Sequence, residues 1–201
     1  MNMKKVLFLI VALVYILTFS RCRNQKKSGE DLKNKDSSTL ATPSHNHTGI
    51  KDTVSMVSTT LSVSGDVNFP LVLTVDSLKK MKVVGLDSLN IVCQSGATTS
   101  SSVKSRGVLL KDILEKASIK QVNHKDRNFY IVARATDGYK ATFSWGEIFN
   151  NPTGNNTYIT FEENGQPIVT KGSMILNCVN DIRTGPRHVI WLKSIEVKKV
   201  D

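Results

Sequence analysis

From Leu61 onward, the spacing of apolar residues changes repeatedly along the chain. LSVSGDV (61–67) alternates apolar and polar residues, the two-residue period of a half-buried strand, and Gly65-Asp66 is a turn signal. Phe69-Pro70 leads into LVLTV, a second strand, after which Asp76 or Ser77 stands where it can cap the short helical segment SLKKM. SLNIVC reads as a third strand that ends on Cys93. The thirteen residues from Gln94 to Arg106 carry no strong pattern and read as a loop, of a length usually functional or mobile.

GVLLKDILEKA (107–117) switches to a helical period, with Val108, Leu109, Leu110, Ile113, Leu114 and Ala117 on one face. NFYIVARATDGYKATFSW then reads as a hairpin: a strand from Phe129 to Ala135, a turn at Asp137-Gly138 and a strand from Tyr139 to Phe143. Ser144 is placed to cap a short helix running to Phe149. Thr157 to Phe161 is a further strand, closed by a turn at Asn164-Gly165, with the adjoining Glu162-Glu163 expected to be solvated. SMILNCVN and HVIWLKSIEVKKV complete the set, the alternation of Val189 and Trp191 placing both in the last strand. Short strands mixed with a few helices point to an α+β fold of mixed sheets, in one domain spanning 61–201.

The residues before Leu61 are of another kind. Lys4 and Lys5 precede an uncharged, largely apolar run from Val6 to Phe19, too short for an ordinary membrane span of ~20 residues. Residues 1–22 are therefore expected to be a signal peptide or lipoprotein signal, with Cys22 as the candidate lipidation site and an exported, periplasmic or membrane-anchored location. Residues 23–60 are polar, lack apolar periodicity and read as a flexible linker; the His45-x-His47 pair within it is expected to be solvated.

Charge and composition narrow the chemistry. The net charge of +10 is scattered, and no block of Lys or Arg alternates with aromatics, so nucleic-acid binding is not expected. There is no Gly-x-Gly-x-x-Gly, no P-loop, no Cys-x-x-Cys and no Gly-x-Ser-x-Gly. Two features remain. Cys93 lies at the end of a strand, where a thiol serves as core filler, as half of a disulfide with Cys178, as a nucleophile or as a metal ligand. Arg183, Arg187 and His188 cluster around Gly185-Pro186, where arginines either grip an anion through their fixed fork or sit as solvated charges.

Taken in order, these motifs resemble one family. A strand ends in Cys93; then come Gly107-Val-Leu-Leu-Lys-Asp-Ile-Leu114, Asp137-Gly138-Tyr139, Asn164-Gly165-Gln166-Pro167, Gly172 and Gly185-Pro-Arg-His-Val-Ile-Trp-Leu192 with Ile195. This series resembles the molybdopterin-binding domain of the sulfite oxidase family. The resemblance implies a mixed α+β fold and a two-electron oxygen-atom transfer on a small oxyanion or sulfoxide. It implies molybdenum held by the Cys93 thiolate, a soft ligand that the metal keeps deprotonated. It implies molybdopterin as cofactor, with Arg106, Lys171, Arg183, Arg187 and His188 around the phosphate and Tyr139 in the pocket. It also implies a separate haem or membrane partner for the electrons.

The series departs from the family at three cationic positions. Gln94-Ser95-Gly96-Ala97 follows the cysteine where sulfite-oxidising members often carry Ala-Gly-Asn-Arg; Leu176 stands at an arginine position, and Ile190 at the lysine of Val-Lys-Trp-Leu. The alternative these departures leave is a cofactor-free, exported binding or interaction module on the same fold.

Overall fold

A computed structural model describes residues 57–200. The signal segment, Cys22, the His45/His47 pair and most of the linker lie outside the described residues. Two five-stranded sheets organise the domain. The first contains β1 (Leu61–Gly65), β2 (Leu71–Leu73), β5 (Phe129–Ala135), β6 (Lys140–Ser144) and β10 (Leu192–Lys199), in the order β2-β1-β10-β5-β6. Only β1 and β10 run parallel in it. The second contains β3 (Val83–Val92), β4 (Thr98–Leu109), β7 (Thr157–Glu163), β8 (Gln166–Pro167) and β9 (Ile175–Cys178). It is antiparallel, and β8 and β9 pair successive stretches of β7. The expected mixed α+β architecture is present.

Three short helices and two 3-10 turns complete the domain. In α1 (Val75–Lys79) the cap is Thr74, whose Oγ1 accepts from Ser77 N, two or three residues before the caps expected from the sequence. Helix α2 (Leu110–Ala117) buries Leu110, Ile113, Leu114 and Ala117, the four positions that face one side. It starts three residues later than its periodicity suggests, because Gly107, Val108 and Leu109 are the end of β4, paired with β7, with Val108 buried. Helix α3 (Trp145–Phe149) opens with a capping box: Ser144 Oγ accepts from Glu147 N while Glu147 Oε2 accepts from Ser144 N. Trp145 and Trp191 are half-buried.

Two segments depart from the sequence expectation. Residues 94–106 are not a loop: Thr98–Leu109 form a long strand paired with β3. Thr and Ser suit an exposed ladder, and this hairpin is solvated along much of its length, so no apolar alternation marks it. Below Ser105 β4 also pairs with β7, but from Thr98 to Lys104 its strand partner is β3, so the hairpin projects as an arm. At the other end of the chain, Val189 makes only an isolated bridge to Leu176 and Trp191 has φ +52°, so β10 begins at Leu192. Among the described residues no helix is long and apolar enough to cross a membrane.

Candidate functional site

Cys93 stands at the tip of the arm. Its N–H donates to Ala97 O at 2.8 Å and its carbonyl accepts from Gly96 N at 2.9 Å, closing a tight turn in which Gly96 has φ +93°. A side chain there would meet a left-handed backbone and also the guanidinium of Arg183, 3.3 Å from the added Cβ. Arg183 therefore lies over the turn that carries the thiol. It is exposed and makes no salt bridge among the described residues.

Thr184, 7% exposed, ties the arm to the segment 183–190. Its Oγ1 accepts from Val92 N at 2.9 Å and donates to Asn90 O at 2.7 Å, acting as a strand neighbour for the end of β3. Gly185 follows so closely that a Cβ on it would lie 2.9 Å from Val92 O and 3.2 Å from Cys93 Cα. Neither contact has a sequence signature. Thr184 and Gly185 read as ordinary turn residues until the arm is folded against them.

An open cleft of about 550 Å³ runs between these two parts. Ile91, Cys93, Gln94 and Thr99 of the arm form one wall; Tyr139, Gly185, Pro186 and His188 form the other. Tyr139 lines it, its hydroxyl donating to Pro186 O at 2.8 Å. A second cleft of about 330 Å³ adjoins the first, since Ile91, Thr99 and His188 line both; it reaches Lys171, Glu163 and Ile190. The larger cleft lies within the ~300–1,000 Å³ range of small-molecule sites.

The cationic residues divide into three groups. Lys171 lines the second cleft, and Arg183 lines neither but lies over the Cys93–Ala97 turn at the edge of the first. Arg106 lines neither and pairs with Glu162 at 3.2 Å. Arg187 is paired with two carboxylates, against the expectation of an anion grip: Nε donates to Asp181 Oδ2 at 2.7 Å, Nη2 to Asp181 Oδ1, and Nη1 to Glu147 Oε1 at 2.8 Å. Its guanidinium also stacks 4.5 Å from the centre of the Phe143 ring. Arg187 thus pins the site segment to β6 and α3. Glu162 and Glu163 are half-buried ion-pair partners of Arg106 and Lys171, not solvated ends, because β7 carries them to the base of the arm.

His188 is mostly buried, with Nδ1 2.6 Å from Asn177 Oδ1. Burial first, and the charge of Lys171 second, push its pKa down to about 4, so the ring is neutral at pH 7. The two domain cysteines are both free thiols. Cys93 is partly exposed on the cleft; Cys178 is 1% exposed in the core, and burial pushes its thiol above the usual range. Among the described residues no three His, Cys, Asp or Glu side chains cluster as a metal site. A metal held by Cys93 would therefore need its remaining ligands from a cofactor or from solvent.

The sequence profile of the oxidoreductase molybdopterin binding domain matches residues 47–201. The chain belongs to that family. No curated protein matches the chain. Among solved structures, the crystal structure of the sulfane dehydrogenase SoxCD from Paracoccus pantotrophus is similar in fold, with a TM-score of 0.53 at 15% identity. The similarity covers 69% of this chain and 38% of that one, so the present chain spans well under half of its length.

The clefts can be tested against what the oxidoreductase molybdopterin binding domain family implies. The metal end fits: an unpaired thiol faces a cavity of ligand size, beside apolar Ile91 and the neutral His188. The anionic end is thinner. Arg183 is uncommitted, and Lys171 is held only by a partly exposed pair with Glu163, of a kind worth ~0–1 kcal/mol and easily exchanged. Ile190, at the family's lysine position, presents an apolar wall to the second cleft, and Leu176, at an arginine position, is wholly buried.

Proposed function

We propose that the chain is an exported molybdopterin-dependent oxidoreductase domain in which Cys93 Sγ is the protein ligand to molybdenum. The observation that carries this reading is a free thiol on the wall of a 550 Å³ cleft, in a chain of this family. The bound cofactor would supply two-electron oxygen-atom transfer on a small oxyanion or sulfoxide. The chain's own residues hold and orient. The Cys93–Ala97 turn fixes the sulfur, Thr184 keeps the arm in place, and Tyr139 braces Pro186 on the facing wall. Arg183 and Lys171 meet the anionic end. Electrons pass to a separate haem or membrane partner.

Molybdenum analysis of the full chain purified from its native host tests this. About one metal per chain, lost in Cys93→Ser, supports it. A metal content near zero, with Cys93 freely alkylated, refutes it. A second reading, a cofactor-free exported interaction module, is favoured by one observation: Arg106, Lys171 and Arg187 all face carboxylates, and His188 is neutral. The same metal analysis separates the two.

A further inference from the structure

Behind His188 runs a line of hydrogen bonds whose direction is forced from its far end. Thr160 Oγ1 lies 3.3 Å from Ile175 O, and a carbonyl only accepts, so the hydroxyl donates. The same oxygen is then left to accept, and it does so from Asn177 Nδ2 at 2.8 Å. This orients the amide, turning Asn177 Oδ1 toward His188 Nδ1 at 2.6 Å. An amide oxygen only accepts, so Nδ1 carries the proton. Thr160 and Asn177 are 0% and 1% exposed, so both groups are removed from bulk solvent. In a neutral ring protonated at Nδ1, Nε2 bears a bare lone pair. Nε2 has no hydrogen-bond partner among the described residues, and His188 lines both clefts.

We propose that His188 is a fixed hydrogen-bond acceptor of the cleft: Nε2 takes an uncharged N–H or O–H group of the ligand and turns away an oxyanion at that point, with Asn177 and Thr160 as positioning residues. A lone pair set against an anionic oxygen leaves both unsatisfied, whereas a ligand N–H satisfies the nitrogen. The cluster Arg187-His188 is thus not a phosphate grip. An anion is left to Arg183 and Lys171, and the ligand is oriented by its polarity, donor toward His188. The ligand part rests on the cleft being the cofactor site of the proposed function; the tautomer does not.

The test uses the full chain, ¹⁵N-labelled and free of metal, with the imidazole nitrogens observed by long-range ¹H–¹⁵N correlation. The chain has four histidines, so His188→Gln supplies the assignment. The expected spectrum shows a protonated Nδ1 and an unprotonated Nε2 at neutral pH. Thr160→Val, close in shape to the original, and Asn177→Leu are expected to convert this to a mixture of tautomers. Asn177→Asp, which keeps an acceptor, restores protonated Nδ1. A neutral pterin, 6-hydroxymethylpterin, is expected to shift the Nε2 resonance; inorganic phosphate is expected to leave it in place. A protonated Nε2 or a tautomer mixture in the unaltered chain overturns the proposal. So does a Thr160→Val chain that folds with an unaltered imidazole spectrum. A shift with phosphate, or none with the pterin, overturns the ligand assignment. Absence of molybdenum in the native protein leaves the tautomer result standing, so failure of the two readings is told apart.

Discussion

Replacing Arg187 with methionine keeps much of its length and apolar stem but removes three charged hydrogen bonds, two to Asp181 and one to Glu147. Charged hydrogen bonds are worth ~1.5–3 kcal/mol each, and stripping one partner from a fully buried pair costs ~3–5 kcal/mol. Here the side chains of Arg187, Asp181 and Glu147 are 20%, 17% and 38% exposed, so water repays part of the loss. Lost stacking on Phe143 adds ~0.5–1 kcal/mol. The expected net loss is about 2–3 kcal/mol. With an m-value of ~1–3 kcal/mol/M, the urea midpoint falls by roughly 1–2 M, followed by tryptophan fluorescence. Added inorganic phosphate is expected to stabilise the Met variant and the unaltered chain equally, since the Arg187 guanidinium is held between the carboxylates of Asp181 and Glu147, which repel an anion. A loss below ~0.5 kcal/mol, or phosphate stabilisation that disappears with the substitution, would show a guanidinium free to bind anions and refute the reasoning.

Other perturbations read neighbouring parts of the site. The unfolded His188 imidazole takes up its proton near pH 6.5 and the folded one near pH 4. Stability present above pH 6.5 therefore falls as the pH is lowered through that window, by on the order of 3 kcal/mol, and His188→Gln should abolish the slope measured by urea titration. Glu147 is held below its ordinary range because hydrogen bonds from Ser144 and Arg187 outweigh its burial. Its contribution is lost only as pH falls through the carboxylate range, and Glu147→Gln should remove that lower step of the pH profile. Thr184→Val unpairs Val92 N and Asn90 O and should cost ~1–2 kcal/mol while speeding hydrogen exchange at Val92; unchanged exchange would mean the arm is held by other contacts. Iodoacetamide should label Cys93 in the native metal-free chain and spare Cys178 until urea is added, because Cys178 is buried and burial disfavours its thiolate.

Local sequence was informative wherever one face of an element meets the core and the other meets water. The Phe129–Ala135 strand with its Asp137-Gly138 turn, the buried stripe of α2 and the Ser144 cap are all as their patterns imply. It misled where that asymmetry is missing. The arm is solvated along much of Thr98–Lys104, so its Ser/Thr run has no period to display. The segment 189–191 alternates like a strand, yet Trp191 takes a left-handed backbone to seat its indole against Gly172 and Thr170.

The order of motifs from Cys93 to Ile195 was enough to indicate the family, the α+β class and the thiol as the candidate ligand, because those features are local and survive being read in a line. Which basic residues remain available to a ligand was decided by tertiary structure alone. Arg183 and Arg187 are four positions apart and chemically identical, but one lies over the Cys93 turn and the other between Asp181 and Glu147. The proton on His188 is likewise set by Asn177 and Thr160, which come from two other strands. Charge neutralisation and hydrogen-bond polarity depend on distances of a few ångströms between residues far apart in the chain, and the chain's order does not contain those distances.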